Sequence, residues 1–62
     1  MRPIESWARF RVQSVLSDHP GADVVMLSIE TDLSDDDLRL TLAGLVREGA
    51  VMVDEFGHFF LN

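Results

Sequence analysis

The sequence contains no cysteine, which excludes disulfides and any thiolate zinc site. It contains no lysine and no tyrosine, so its only permanent side-chain cations are arginines. That usage fits either a GC-rich genome or a salt-adapted proteome. No apolar run approaches the roughly 20 residues of a membrane-spanning helix. The opening MRPIESWARF carries acid and arginine where a secretory signal has an apolar core. The expectation is therefore a cytoplasmic chain without a membrane segment. The four glycines are scattered, so no glycine-rich phosphate loop exists and no small-molecule substrate is evident.

What is present is apolar and acidic. Apolar residues make up 47% of the 62, too high a share for disorder and enough for one small core. A chain of this length is one domain, spanning 1–62, and buries too little surface to be more than marginally stable. The net charge of −6 is uneven. In residues 1–17, Arg2, Arg9 and Arg11 against Glu5 give +2, whereas Arg39 and Arg47 against ten acids give −8 in residues 18–62. A field of this sign repels phosphate and steers toward cationic protein surfaces.

The strongest local signals lie between Thr31 and Phe60. Ser34 is a good helix N-cap, with Asp37 three residues on as a shortened capping box. Asp35, Asp36 and Asp37 place negative charge at the positive end of the helix dipole. Leu38, Leu42, Leu45 and Val46 follow on one helical face, Glu48 closes the run, and Gly49 is a stop. Ala50 to Val53 and His58 to Leu61 read as strands joined by an Asp54–Gly57 turn.

The first half looks like support for that helix. Residues 3–17 predict a helix, with Pro3 in its first turn and Ile4, Trp7, Ala8, Val12, Val15 and Leu16 on a broad apolar face. Arg11 falls inside that face, either as a stem packed on Trp7 or as an interface arginine. Trp7 and Phe10 exceed what so small a core can cover, which makes them candidates for self-association. After the Pro20-Gly21 break, residues 23–31 predict a short helix capped by Asp23, with a short extended stretch within Val24–Leu27 as the alternative. The expected core is Ala8, Val12, Val15, Leu16, Met26, Ile29, Leu33, Leu38, Leu42, Leu45, Val46, Val51, Val53 and Phe60.

Helix, helix, turn, a capped helix ending in LVREGAV and a hairpin together resemble the winged helix-turn-helix superfamily. The stretch LSDDDLRLTLAGLVREGAVMVDEFGHFFLN carries most of the likeness, which spans roughly residues 8–62. The resemblance implies a mainly α domain with a small β-hairpin (α+β): three helices followed by a two-stranded wing. It implies DNA-facing positions at Ser34, Asp35, Asp36, Arg39, Leu40, Ala43 and Arg47, with Asp54 and Glu55 at the wing tip. Here the sequence departs from the family pattern. Three carboxylates stand where groove-reading helices offer donors to bases and phosphates, and the wing tip adds two more.

Catalytic and metal signals are absent. Asp32 to Asp37 fails the calcium-loop spacing, because positions six and twelve would be Asp37 and Ala43. Ser17, Asp18 and His19 are adjacent and cannot form a triad, and His58 stands alone beside Phe59 and Phe60. No enzyme activity, cofactor or metal is expected. Leu40 stands out, on the helix face opposite Leu38, Leu42 and Leu45. It reads as a scattered surface leucine or as an interface anchor. The favoured expectation is a non-catalytic regulatory or adaptor module that binds a protein partner using Asp36, Asp37, Leu40, Ala43, Arg47, Asp54 and Glu55, with any homodimer formed through the first helix at Trp7 and Phe10. The alternative is a DNA-binding regulator that contacts DNA through Arg2, Arg9, Arg11, Ser34, Arg39 and Arg47.

Overall fold

The structure is a computed structural model that describes residues 3–62, with side chains from Ser6 onward. Arg2 and the side chain of Ile4 lie outside the described residues. Three helices, α1 (Pro3–Asp18), α2 (Val24–Thr31) and α3 (Asp35–Arg47), precede two strands, β1 (Val51–Val53) and β2 (Phe59–Leu61). The strands form an antiparallel hairpin that pairs Val51 with Leu61, Met52 with Phe60 and Val53 with Phe59. The architecture is mainly helical with a small hairpin, as the sequence predicts. Among the described residues no helix is long and apolar enough to cross a membrane.

The ends of α2 and α3 have local causes. Asp23 caps α2 by accepting the Met26 N–H at 2.8 Å, and Ser34 caps α3 by accepting the Asp37 N–H at 3.2 Å. Helix α2 stops at Asp32, which takes φ 61, a left-handed conformation that aspartate tolerates better than most side chains. At the end of α3, Gly49 takes φ 81. Its N–H reaches the Val46 carbonyl at 3.0 Å while Ala50 N–H reaches Leu45 at 2.9 Å, the paired bonds of a Schellman close. That second bond keeps Ala50 out of β1. His58 is likewise outside β2, because its N–H is taken by Asp54 Oδ1 at 2.9 Å.

The core gathers Ala8, Val12, Val15 and Leu16 of α1, Leu38, Leu42 and Leu45 of α3, and Leu33 between the last two helices. Leu27, Ala22, Val51 and Phe59 complete it. Thr31 is fully buried yet satisfied: its hydroxyl donates to Leu27 O at 2.6 Å and accepts from Leu33 N–H at 3.3 Å.

Several expected core positions are corrected. Met26 and Ile29 are exposed, because α2 turns Leu27 and Thr31, four residues apart, toward the core. Val46 sits at the rim of the α3 apolar face and is exposed. Val53 is exposed because the hairpin runs past the core. In β2 the buried aromatic is Phe59; Phe60 points to the opposite face of the hairpin and is only half-buried, against Gly21. The extended element before α2 is at Ala22, whereas Val24 to Leu27 is helical. Ala22 forms an antiparallel bridge with Phe59, whose N–H donates to Ala22 O at 2.9 Å and whose carbonyl accepts Gly21 N–H at 2.8 Å. This bridge fastens the hairpin to the helices.

Candidate protein-interaction surface

The cap at Ser34 sets the phase of α3. With Leu38, Leu42 and Leu45 buried, the opposite side of the helix must face outward. Asp36, Asp37, Leu40, Ala43 and Arg47 are all exposed there, and Leu40 is 70% exposed. The spacing of Asp36, Leu40, Ala43 and Arg47 places the four within about 60° of arc at 100° per residue. The remaining two expected positions, Asp54 and Glu55, are exposed in the hairpin turn. Nothing among the described residues joins either to α3 by a hydrogen bond or ion pair.

Beside this stripe the structure opens a groove of about 550 Å³. It is lined by Val24 of α2, Phe59 of β2 and Leu42, Ala43 and Val46 of α3. Arg39 and Arg47 also line it, and neither side chain holds a hydrogen bond or ion pair among the described residues. The sequence reading did not bring Val24, Val46 and Phe59 together as the lining of a groove. The groove exists because the Ala22–Phe59 bridge brings β2 beside the start of α2, a contact that no local pattern signals.

The N-terminal arginines are differently employed. Arg9 makes a two-pronged pair with Glu48: Nη1 donates to Oε2 at 3.0 Å and Nη2 donates to Oε1. This clamp ties α1 to the end of α3. Arg11 Nη2 donates to the Glu30 carbonyl at 3.0 Å, and its guanidinium lies 5.8 Å from the centre of the Trp7 ring. Its Nε is buried without a partner. Arg11 is therefore a link between α1 and the end of α2, packed on Trp7. Trp7 remains 47% exposed and Phe10 68% exposed, so the surface expected for self-association is open.

Two carboxylates are tuned by these contacts. The Arg9 hydrogen bond holds the Glu48 carboxyl below its ordinary pKa, with the charges of Arg9 and Arg47 adding to the effect. The Asp54 carboxyl is also lowered, first by the His58 backbone N–H and then by that of Phe56, each 2.9 Å from Oδ1. His58 Nδ1 lies 3.6 Å from the other Asp54 oxygen. A lowered folded-state pKa contributes stability above the unfolded pKa, and that contribution is lost as pH falls through the folded value. The clamp and the hairpin turn should thus persist at neutral pH and loosen only on the acid side. Carboxyl NMR titrations should give midpoints below 3.8 for Asp54 and below 4.5 for Glu48. An Asp54 midpoint above 3.8 would mean that the turn is not closed around its carboxylate.

Among the described residues, no group of three or more His, Cys, Asp and Glu side chains is placed to hold a metal ion. Compared with family models, with curated proteins and with solved structures, the chain finds no match in any of the three.

Proposed function

We propose that the chain is a non-catalytic, cytoplasmic winged helix-turn-helix module that binds protein through the outward face of α3. The fold part of this reading is supported by the element order and by the Ala22–Phe59 bridge, which ties the hairpin to the segment before α2. The observation that carries the function is Leu40. A large apolar side chain, 70% exposed, stands one helical turn from Ala43, which itself lines an apolar groove, with Asp36 and Asp37 at one end of the stripe and Arg47 at the other. An apolar centre with a charged rim is the usual anatomy of a protein contact.

The DNA reading keeps one observation in its favour: the side chains of Arg39 and Arg47 on α3 hold no hydrogen bond or ion pair among the described residues. Against it, Arg9 is held by Glu48 and Arg11 by Glu30 and Trp7, so these arginines are already engaged inside the molecule. Three exposed aspartates also crowd the leading end of α3, where phosphate would lie.

Titration of a mixed-sequence DNA duplex across a range of salt separates the two. Little binding is expected from the wild type, and Asp36→Asn with Asp37→Asn should create no tight complex. Salt-sensitive binding by the wild type that strengthens on this double substitution would overturn the protein-binding reading, because two charges opposing phosphate have been removed. Melting curves must accompany the titration, since each aspartate favours the helix start by about 0.3–1 kcal/mol.

A further inference from the structure

The outward stripe of α3 is self-complementary. Asp36, Leu40, Ala43 and Arg47 are spaced four, three and four residues apart. Inverting the order about the midpoint between Thr41 and Leu42 exchanges Asp36 with Arg47 and Leu40 with Ala43. An acid is thereby exchanged for a base, and a large apolar residue for a small one. An isologous two-fold interface requires this of a surface: if residue i meets residue j, then j meets i.

We propose that the partner of α3 is the α3 of a second copy, packed antiparallel about a two-fold axis through that midpoint. The proposal rests on the protein-binding reading and names its occupant. In this arrangement Leu40 of each protomer comes level with Ala43 of the other, and the two Leu40 side chains lie side by side on one flank of the contact. Asp36 of each meets Arg47 of the other, whose side chain holds no hydrogen bond or ion pair among the described residues. The two pairs flank the apolar centre, about 16 Å apart along the helix. A parallel pairing would set aspartate against aspartate and arginine against arginine, so the charges select the antiparallel one.

The contact is short, one face of a single helix, at the small end of specific interfaces. Weak, reversible association is therefore expected. At about 0.15 M salt the Debye length is about 8 Å, so repulsion between two chains of net charge −6 is screened more than the contact pairs are.

Sedimentation equilibrium tests this, with circular dichroism confirming that each variant is folded. The wild type should pass reversibly from monomer to dimer as its concentration rises through roughly 10–500 μM. Asp36→Arg and Arg47→Asp should each weaken the dimer by roughly ten-fold or more. An equimolar mixture of the two variants should recover dimer, because every pair across the axis is again arginine with aspartate. The double variant should dimerise by itself. Leu40→Ala should weaken association by roughly ten-fold or more.

A wild type that stays monomeric throughout, or a mixture that fails to restore what the single variants lost, overturns the proposal. So does a dimer indifferent to both single substitutions, which would place the interface elsewhere, at Trp7 and Phe10. A monomeric wild type leaves the broader protein-binding reading standing, since that reading falls only to the DNA titration described above.

Discussion

Leu27→Ala should cost about 2–5 kcal/mol of stability, whereas Ile29→Ala should change it by no more than about 0.5 kcal/mol. Leu27 is completely buried and Ile29 is 72% exposed, although the two stand only two residues apart in α2. Truncating Leu27 removes methyl groups from the centre of a close-packed core and leaves a cavity that its neighbours fill only partly. Truncating Ile29 removes apolar surface that water already reaches. A domain of 62 residues has roughly 3–9 kcal/mol in all, so the Leu27 variant should be close to unfolding at room temperature. Urea melts of the two variants measure both effects. Equal losses, or a larger loss at Ile29, would mean that α2 packs with its other face inward.

That comparison marks a place where the sequence is ambiguous for a physical reason. Helix α2 reads VVMLSIET, and before its last two residues it carries no charge to label an outer face. A helix apolar around most of its circumference satisfies several phases equally well by pattern alone. The tertiary neighbours decide, and they select Leu27 and the hydroxyl of Thr31 over Met26 and Ile29. In α3 the reverse holds. Three aspartates, a serine cap and leucines at positions 38, 42 and 45 agree on one phase, and the structure has those leucines buried. Local and tertiary preferences point the same way there.

The candidate surface divides along the same line. Leu40 is legible because it is a lone leucine on a polar face of a well-phased helix. The groove beside it is not, since it depends on Phe59 reaching Val24 across more than half the chain. The Arg9–Glu48 clamp joins residues 39 apart and leaves no local trace. The charge count alone left Arg9 available to phosphate. In the folded chain it is spent on holding α1 against the end of α3.

The hairpin supplies the second large effect. Phe59→Ala should cost about 3–5 kcal/mol, and Phe60→Ala distinctly less. The two aromatics are adjacent, so the sequence does not say which of them faces inward. In a strand a shift of one residue exchanges the faces. The structure makes a definite choice. Phe59 is 9% exposed and pairs with Val53, on the hairpin face that also carries buried Val51. Its main chain is bonded on both sides to the segment before α2, through Gly21 N–H at 2.8 Å and Ala22 O at 2.9 Å. Its ring therefore fills the core where the hairpin is fastened to the helices. Phe60 lies on the other face, half-buried against Gly21, and its loss opens no comparable cavity. Hydrogen exchange sharpens the test. In the Phe59 variant, protection should fall first at the Gly21 and Phe59 amides, which hold the bridge, while the Leu38 amide inside capped α3 keeps more of its protection. If Phe60→Ala proves the more damaging change, the register of β2 is shifted by one residue, and the groove loses the lining that Phe59 gives it.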